Sequence, residues 1–215
     1  MSFLIIKVHK LGIINYGSGN IQAIKNIYDS LFIRSEVINE PHELEECTHI
    51  ILPGVGHFDH TIKLLGDIGF IDKLNDEVLL NNKFILGICV GMQIMGVSSE
   101  EGSLQGLSWF KAKSYNLSTM IRDKQFRLPH MGWNEIFIKK KDLILNEFEV
   151  YSGAYFLHNY FMQLEDSAEV IACANYITDI PAVIKKNNIY GIQFHPEKSH
   201  MNGINLLKSF ASLTG

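Results

Sequence analysis

Cysteine is scarce in this chain: three in 215 residues, Cys47, Cys89 and Cys173, far apart, odd in number and with no CxxC pair. That excludes a disulfide framework and fits a reducing compartment, the cytoplasm. Long apolar runs are missing as well. The N-terminal stretch Phe3 to Val8 is far shorter than the roughly 20 residues needed to cross a bilayer, and no small-residue cleavage site follows it. The expectation is a soluble, unprocessed protein with no membrane partner. Neither sign of charge dominates: 19 Lys and Arg stand against 23 Asp and Glu, a net charge of −4. No basic face is therefore available to neutralise a phosphate backbone, and nucleic acid is not an expected partner.

What is present is a hydrophobic content of 47%, enough to fill one core, since single cores run to about 200 to 250 residues. One domain over residues 1–215 is expected, with 1–10 as an N-terminal extension, either an added strand or a loose tail. Short β-rich runs alternate with segments of helical period, which argues for an α/β fold around a mainly parallel sheet. Strands are predicted over 11–15, 34–39, 49–52 and 83–88. Helices are predicted from Ile21, over 59–65 and over 71–80. The second half is richer in strands, predicted over 110–117, 133–138, 155–162, 169–176, 182–185 and 190–194, before a closing helix over 204–213. Segments 98–106 and 118–128 read as the loops most prone to movement.

Gly87-Ile-Cys89-Val-Gly91 stands where a buried strand gives way to a helix, the G-x-nucleophile-x-G pattern of a nucleophile elbow with cysteine in the central place. The glycines permit a tight, strained turn where a side chain two residues away would collide with its neighbours. The N-terminus of the following helix favours thiolate, the attacking species, and the Val90 amide can stabilise an oxyanion. A buried cysteine is ordinarily one more small hydrophobe. The flanking glycines reverse that reading for Cys89 and do nothing for Cys47 or Cys173.

His195-Pro-Glu197 follows another predicted strand, at the end where ligands bind in open α/β sheets. His195 is the candidate base. The intervening proline is expected to hold an extended geometry that brings Glu197 back to orient and charge the imidazole. Pro53-Gly-Val-Gly56 after the third strand supplies flexible backbone N–H groups near Cys89, the kind of donor that stabilises acyl-transfer intermediates. His57 and His60 have metal-like spacing but no matching cluster elsewhere. No metal and no cofactor is expected.

Together Pro53 to Gly56, Gly87 to Gln93, Pro129 to Asn134 (PHMGWN), Tyr155 to Tyr160 (YFLHNY) and Gln193 to Ser199 (QFHPEKS) resemble the class I glutamine amidotransferases, in order and spacing from about Gly12 to the C-terminus. The resemblance implies a flavodoxin-like three-layer α/β fold with a mainly parallel central sheet and an additional antiparallel, strand-rich part. It implies that Cys89 attacks the side-chain amide of glutamine, His195 carries the proton to ammonia, and Glu197 orients His195. Val55, Gly56 and Val90 become the oxyanion donors, the Val55 amide turning inward on activation. Gly54, Gln93, Glu101 and the backbone around Asn159 and Tyr160 become the glutamine-binding set.

By the same resemblance the chain is one half of a heterodimer whose partner is a cyclase with a (β/α)₈ barrel, with Asn20, Trp133 and Lys198 near the contact. Ammonia would pass to a bound ribonucleotide on the way to the imidazole ring of histidine and a purine precursor. Two departures, Val90 where leucine is common and Gly96-Val97 in place of a bulkier pair, touch helix packing and leave the chemistry intact. The competing readings are a paralogous subunit that feeds ammonia to the amidation of a nucleotide-linked sugar, a free-standing cysteine hydrolase or peptidase, and a non-catalytic binding subunit. Gln93 and the Pro129 to Asn134 motif argue against the second. The intact Cys89, His195 and Glu197 argue against the third.

Overall fold

Runs such as Leu11–Ile14 and Ile189–Ile192 are buried at every position, which requires neighbours on both faces and is the mark of parallel strands inside an α/β protein. The computed structural model describes residues 10–120 and 127–214. Its elements are, in order, β1 (Leu11–Ile14), α1 (Ile21–Ser30), β2 (Ser35–Ile38), β3 (His49–Leu52), α2 (Phe58–Ile68), α3 (Phe70–Asn75), β4 (Phe84–Ile88), α4 (Val90–Gln93), β5 (Ser98–Ser99), β6 (Ala112–Asn116), β7 (His130–Asn134), β8 (Phe137–Ile138), β9 (Ala154–His158), β10 (Tyr160–Leu164), β11 (Val170–Asn175), β12 (Asp179–Lys186), β13 (Ile189–Ile192) and α5 (His200–Ala211).

Eight strands form one sheet in the order β2-β1-β3-β4-β13-β12-β11-β8. The first five are parallel and the last three add antiparallel. Because β1, β3, β4 and β13 run the same way, the turns that follow them all emerge at one edge of the sheet. Those turns carry Asn20, Pro53 to Gly56, Cys89 and His195 respectively, so four segments far apart in sequence converge where α/β sheets bind ligands. Helices α1 and α5 touch through the Tyr28 hydroxyl, which donates to Leu207 O at 3.2 Å. Helix α2 packs with α3 and α4. Among the described residues no helix is long and apolar enough to cross a membrane.

Four sequence expectations need correction. The strand expected over 133–138 is two strands in different sheets: β7 pairs with β9, while β8 joins the edge of the main sheet against β11. The strand expected over 155–162 breaks at Asn159, so that β9 pairs with β7 and β10 with β6. Alternation of apolar residues reports burial and not which partner strand supplies it. The helix over 71–80 is α3 followed by a π-helical turn, Asp76–Leu80, which buries Glu77 between Lys73 and Lys83 at 2.9 and 2.6 Å. The helix after Cys89 is a single turn.

The 98–106 segment holds β5 and is tied to α2: the Asp59 carboxylate accepts from the Ser103 and Leu104 amides at 2.8 and 3.0 Å. Of the two expectations at the chain's less regular parts, the N-terminal extension over 1–10 lies outside the described residues except for Lys10, and part of the 118–128 loop, 121–126, lies outside them too.

Candidate active site

Cys89 caps the end of β4 with φ +54° and ψ −110°, a backbone conformation that only strong surrounding contacts maintain in a non-glycine residue. Those contacts are visible. The Cys89 amide donates to Ile192 O at 2.8 Å, tying the turn to β13. A Cβ on Gly87 would lie 2.6 Å from Gly91 O, and one on Gly91 would strike Leu52 O. Gly54 is held by the same close approach, since a Cβ there would strike the Gly91 amide nitrogen. It braces the elbow from behind and is not among the residues lining the cavity described below. With α4 reduced to one turn, the helix dipole aimed at the sulfur is much weaker than a long helix would supply.

Around the sulfur stand Leu157 O at 3.9 Å and the Gln193 side-chain amide, which donates to Sγ across 3.7 Å. The His195 side chain lines the same cavity as Cys89 and interacts with it electrostatically. His195 Nδ1 meets Glu197 Oε1 at 2.9 Å, and its backbone amide donates to Tyr155 O at 2.9 Å. Pro196 starts a 3₁₀ turn, Pro196–Lys198, so the proline curls the chain where an extended geometry was expected, and this curl swings Glu197 back under the imidazole. Ser199 latches the turn: its hydroxyl donates to His195 O at 2.6 Å and accepts from the Tyr155 amide at 3.0 Å.

Burial alone would lower the affinity of His195 for a proton, but the Cys89 sulfur and the Glu197 carboxylate outweigh it and push its pKa up to about 10. Burial likewise pushes Glu197 up, and its bonds to His195 and Asn20 more than offset this, leaving it below the ordinary carboxylate value. The imidazole is thus built to take and hold a proton. Beside it, a cavity of about 210 Å³ is lined by Val55, Gly56 and Val90, by Gln93 and Glu101, and by Pro129 with the 157–160 segment.

Gln93 Nε2 donates to Tyr160 O at 2.8 Å and to Gln193 Oε1 at 3.0 Å. Both amide hydrogens are committed, and its carbonyl oxygen is the atom left to recognise a ligand donor. Glu101 accepts from the Phe58 amide at 2.8 Å. The carbonyls of Asn159 and Tyr160 are both occupied within the protein, the first by the Leu117 amide at 2.8 Å and the second by Gln93 and His158. What that segment can offer a ligand is its N–H groups and side chains. Val55 O accepts from the Ser18 hydroxyl at 2.7 Å, Pro53 O from the Tyr16 hydroxyl at 2.7 Å, and Gly56 adopts φ +109°.

Asn20, expected near the partner contact, donates its side-chain amide to Glu197 Oε1 at 2.6 Å, inside the site. Trp133 and Lys198 lie on an exposed face nearby, Trp133 stacked on His200 at 5.1 Å and Lys198 over the Tyr155 ring at 5.6 Å. Sequence reasoning missed Gln193 and His158. Gln193 stands two residues before His195 at a strand end, so the period of two already placed both on one face. Among the described residues no group of three or more His, Cys, Asp or Glu is placed to hold a metal ion. His57 instead caps α2, accepting from the Asp59 amide at 3.2 Å.

Residues 12–212 match the protein family described as glutamine amidotransferase class-I. The imidazole glycerol phosphate synthase subunit HisH of Leptospira borgpetersenii is 43% identical over 94% of this chain and 100% of its own length. The protein of the same name from Leptospira interrogans is 41% identical over the same shares. In fold, a chain of the PurLQS structure from Thermotoga maritima matches with a TM-score of 0.69 over 94% of this chain and 97% of that one, at 16% identity.

Proposed function

The chain belongs to the class-I glutamine amidotransferase family, and we propose that it is the glutamine-hydrolysing subunit of an imidazole glycerol phosphate synthase, working in histidine biosynthesis. The observation that carries this reading is the meeting of Cys89, on its strained elbow, with the buried His195–Glu197 pair at a small polar cavity, in a chain whose full-length relatives bear that name.

The chemistry follows from the geometry. His195 takes the thiol proton and the sulfur attacks the side-chain amide carbon of glutamine; the oxyanion forms against backbone N–H groups of Val90 and the Val55–Gly56 segment. His195 returns the proton to the departing nitrogen as ammonia leaves, giving a glutamyl thioester. Water, deprotonated by His195, then cleaves the thioester to glutamate and frees the thiol. Glu197 holds the imidazole in orientation and stabilises its charged form. Gln93, Glu101 and the N–H groups of 159–160 hold the substrate.

The relatives are named as subunits, and we infer a cyclase partner with a (β/α)₈ barrel that receives the ammonia. The exposed face around Trp133 and Lys198, beside the turn that carries Glu197, is where it docks. The test is glutamate release from glutamine by the purified chain, alone and with the cyclase from the same genome plus its ribonucleotide ligand. Strong stimulation in the full mixture is expected. No stimulation beside an active cyclase control would overturn the histidine-pathway reading and favour a sugar-amidating synthase as partner.

A further inference from the structure

In the cavity wall and just behind it, two histidines that the chemistry above does not use are buried side by side. His130, on β7, and His158, at the end of β9, are 2% and 6% exposed, with His130 Nδ1 and His158 Nε2 2.9 Å apart. The His130 ring is sandwiched between Phe156 at 4.7 Å and Tyr176 at 4.1 Å, nearly parallel to both, so it cannot turn.

The order of protons along this pair is forced from one end. His158 Nδ1 lies 2.9 Å from Tyr160 O, and a carbonyl oxygen only accepts, so Nδ1 carries the hydrogen. A neutral imidazole has one ring hydrogen, which leaves His158 Nε2 bare. His130 Nδ1 must then donate to it, leaving His130 Nε2 bare in turn, and the Asn134 side-chain amide donates there at 3.2 Å. The other Asn134 amide hydrogen goes to Asn175 O at 2.8 Å. A second proton on His158 would aim two N–H groups at each other.

The chain ends on an atom that matters to the site. Tyr160 O is also the acceptor of Gln93 Nε2, so its position decides where Gln93 presents its carbonyl oxygen to the cavity. We propose that His130 and His158 are positioning residues for the glutamine site, forming a one-way hydrogen-bond chain from Asn134 through both Nδ1–H tautomers to Tyr160 O that fixes Gln93. The inference rests on the glutaminase reading for what the wall holds, and on the geometry alone for the chain itself.

Two measurements test it. Long-range proton–nitrogen spectra of the ¹⁵N-labelled chain, assigned with His130→Phe and His158→Gln, should find both rings neutral and Nδ1-protonated at pH 7, although the Nε2–H form is the commoner one in water. An Nε2–H or doubly protonated ring at either position overturns the proposal. In the complex, His158→Gln removes the donor to Tyr160 O and should raise KM for glutamine about tenfold with a smaller change in kcat. His158→Asn restores a donor at the δ position and should recover most of that loss, although it is the smaller residue. Equal damage from both variants means the histidine only fills space and overturns the proposal. If wild-type protein releases no glutamate with its partner, the functional reading has failed, and the spectra still decide whether the chain exists.

Discussion

Asn20 and His195 donate to one and the same atom, Glu197 Oε1, at 2.6 and 2.9 Å. The other carboxylate oxygen, Oε2, is buried without a hydrogen-bond partner among the described residues. Loss of Asn20 therefore removes one of the two side-chain bonds by which this buried carboxylate is held. Asn20→Ala should lower kcat for glutamate release about tenfold at saturating partner, matching the low end of what a hydrogen bond to a charged group contributes. A variant with normal kcat and weakened partner binding would place the role of Asn20 at the docking face instead.

Cys89→Ala removes the nucleophile and leaves the face around Trp133 untouched. Glutamine hydrolysis should vanish, while partner affinity and synthesis from free ammonium stay at wild-type level. Loss of the ammonium-dependent reaction as well would show that the chain does more for its partner than deliver ammonia.

The backbone at Cys89 makes a prediction about stability that opposes activity. A non-glycine residue at φ +54° is strained by about 1 to 3 kcal/mol, and glycine would relieve that strain while adding about 0.4 to 1 kcal/mol of unfolded-state freedom. Both Cys89→Ala and Cys89→Gly delete the thiol, so their comparison isolates the backbone. Cys89→Gly should be the more stable by about 1 kcal/mol in urea unfolding, and equal midpoints would mean that the elbow stores no strain.

The elbow and the His195–Glu197 pair were legible in the sequence because each is local: two glycines flanking a cysteine, and a base with its carboxylate two residues on. The parallel half of the sheet was legible from unbroken apolar runs such as β1 and β4. Contacts between distant segments were not. Asn20 reaches Glu197 across 177 positions, and no periodicity announces such a pairing. The break at Asn159 was hidden because apolar residues continue through it, while the pairing partner changes from β7 to β6. The single turn of α4 has a tertiary setting too: just beyond it a Cβ on Gly96 would stand 2.8 Å from Ala112 O, a neighbour that local propensity does not see.

Acid should destabilise the fold through the histidine pair, with a definite sign. Burial holds His130 down at about 4, and burial, reinforced by the neighbouring His130 and His195, holds His158 at about 3. Both titrate near 6.5 in an unfolded chain, so between these values the unfolded state binds more protons and stability falls as pH drops. His195 runs the other way: raised to about 10, it contributes stability that is fully present below about 6.5 and lost as pH rises toward 10. His130→Phe keeps the stack between Phe156 and Tyr176 but strips His158 Nε2 of its donor. It should therefore be less stable at pH 7, by about 1 to 2 kcal/mol, while its stability falls less steeply below pH 6.5, by about one proton. Urea midpoints measured from pH 7 down to about 4.5 read both effects at once. An unchanged slope would mean that His130 is already charged in the folded protein, a state in which it could not be held beside His158 in the arrangement described.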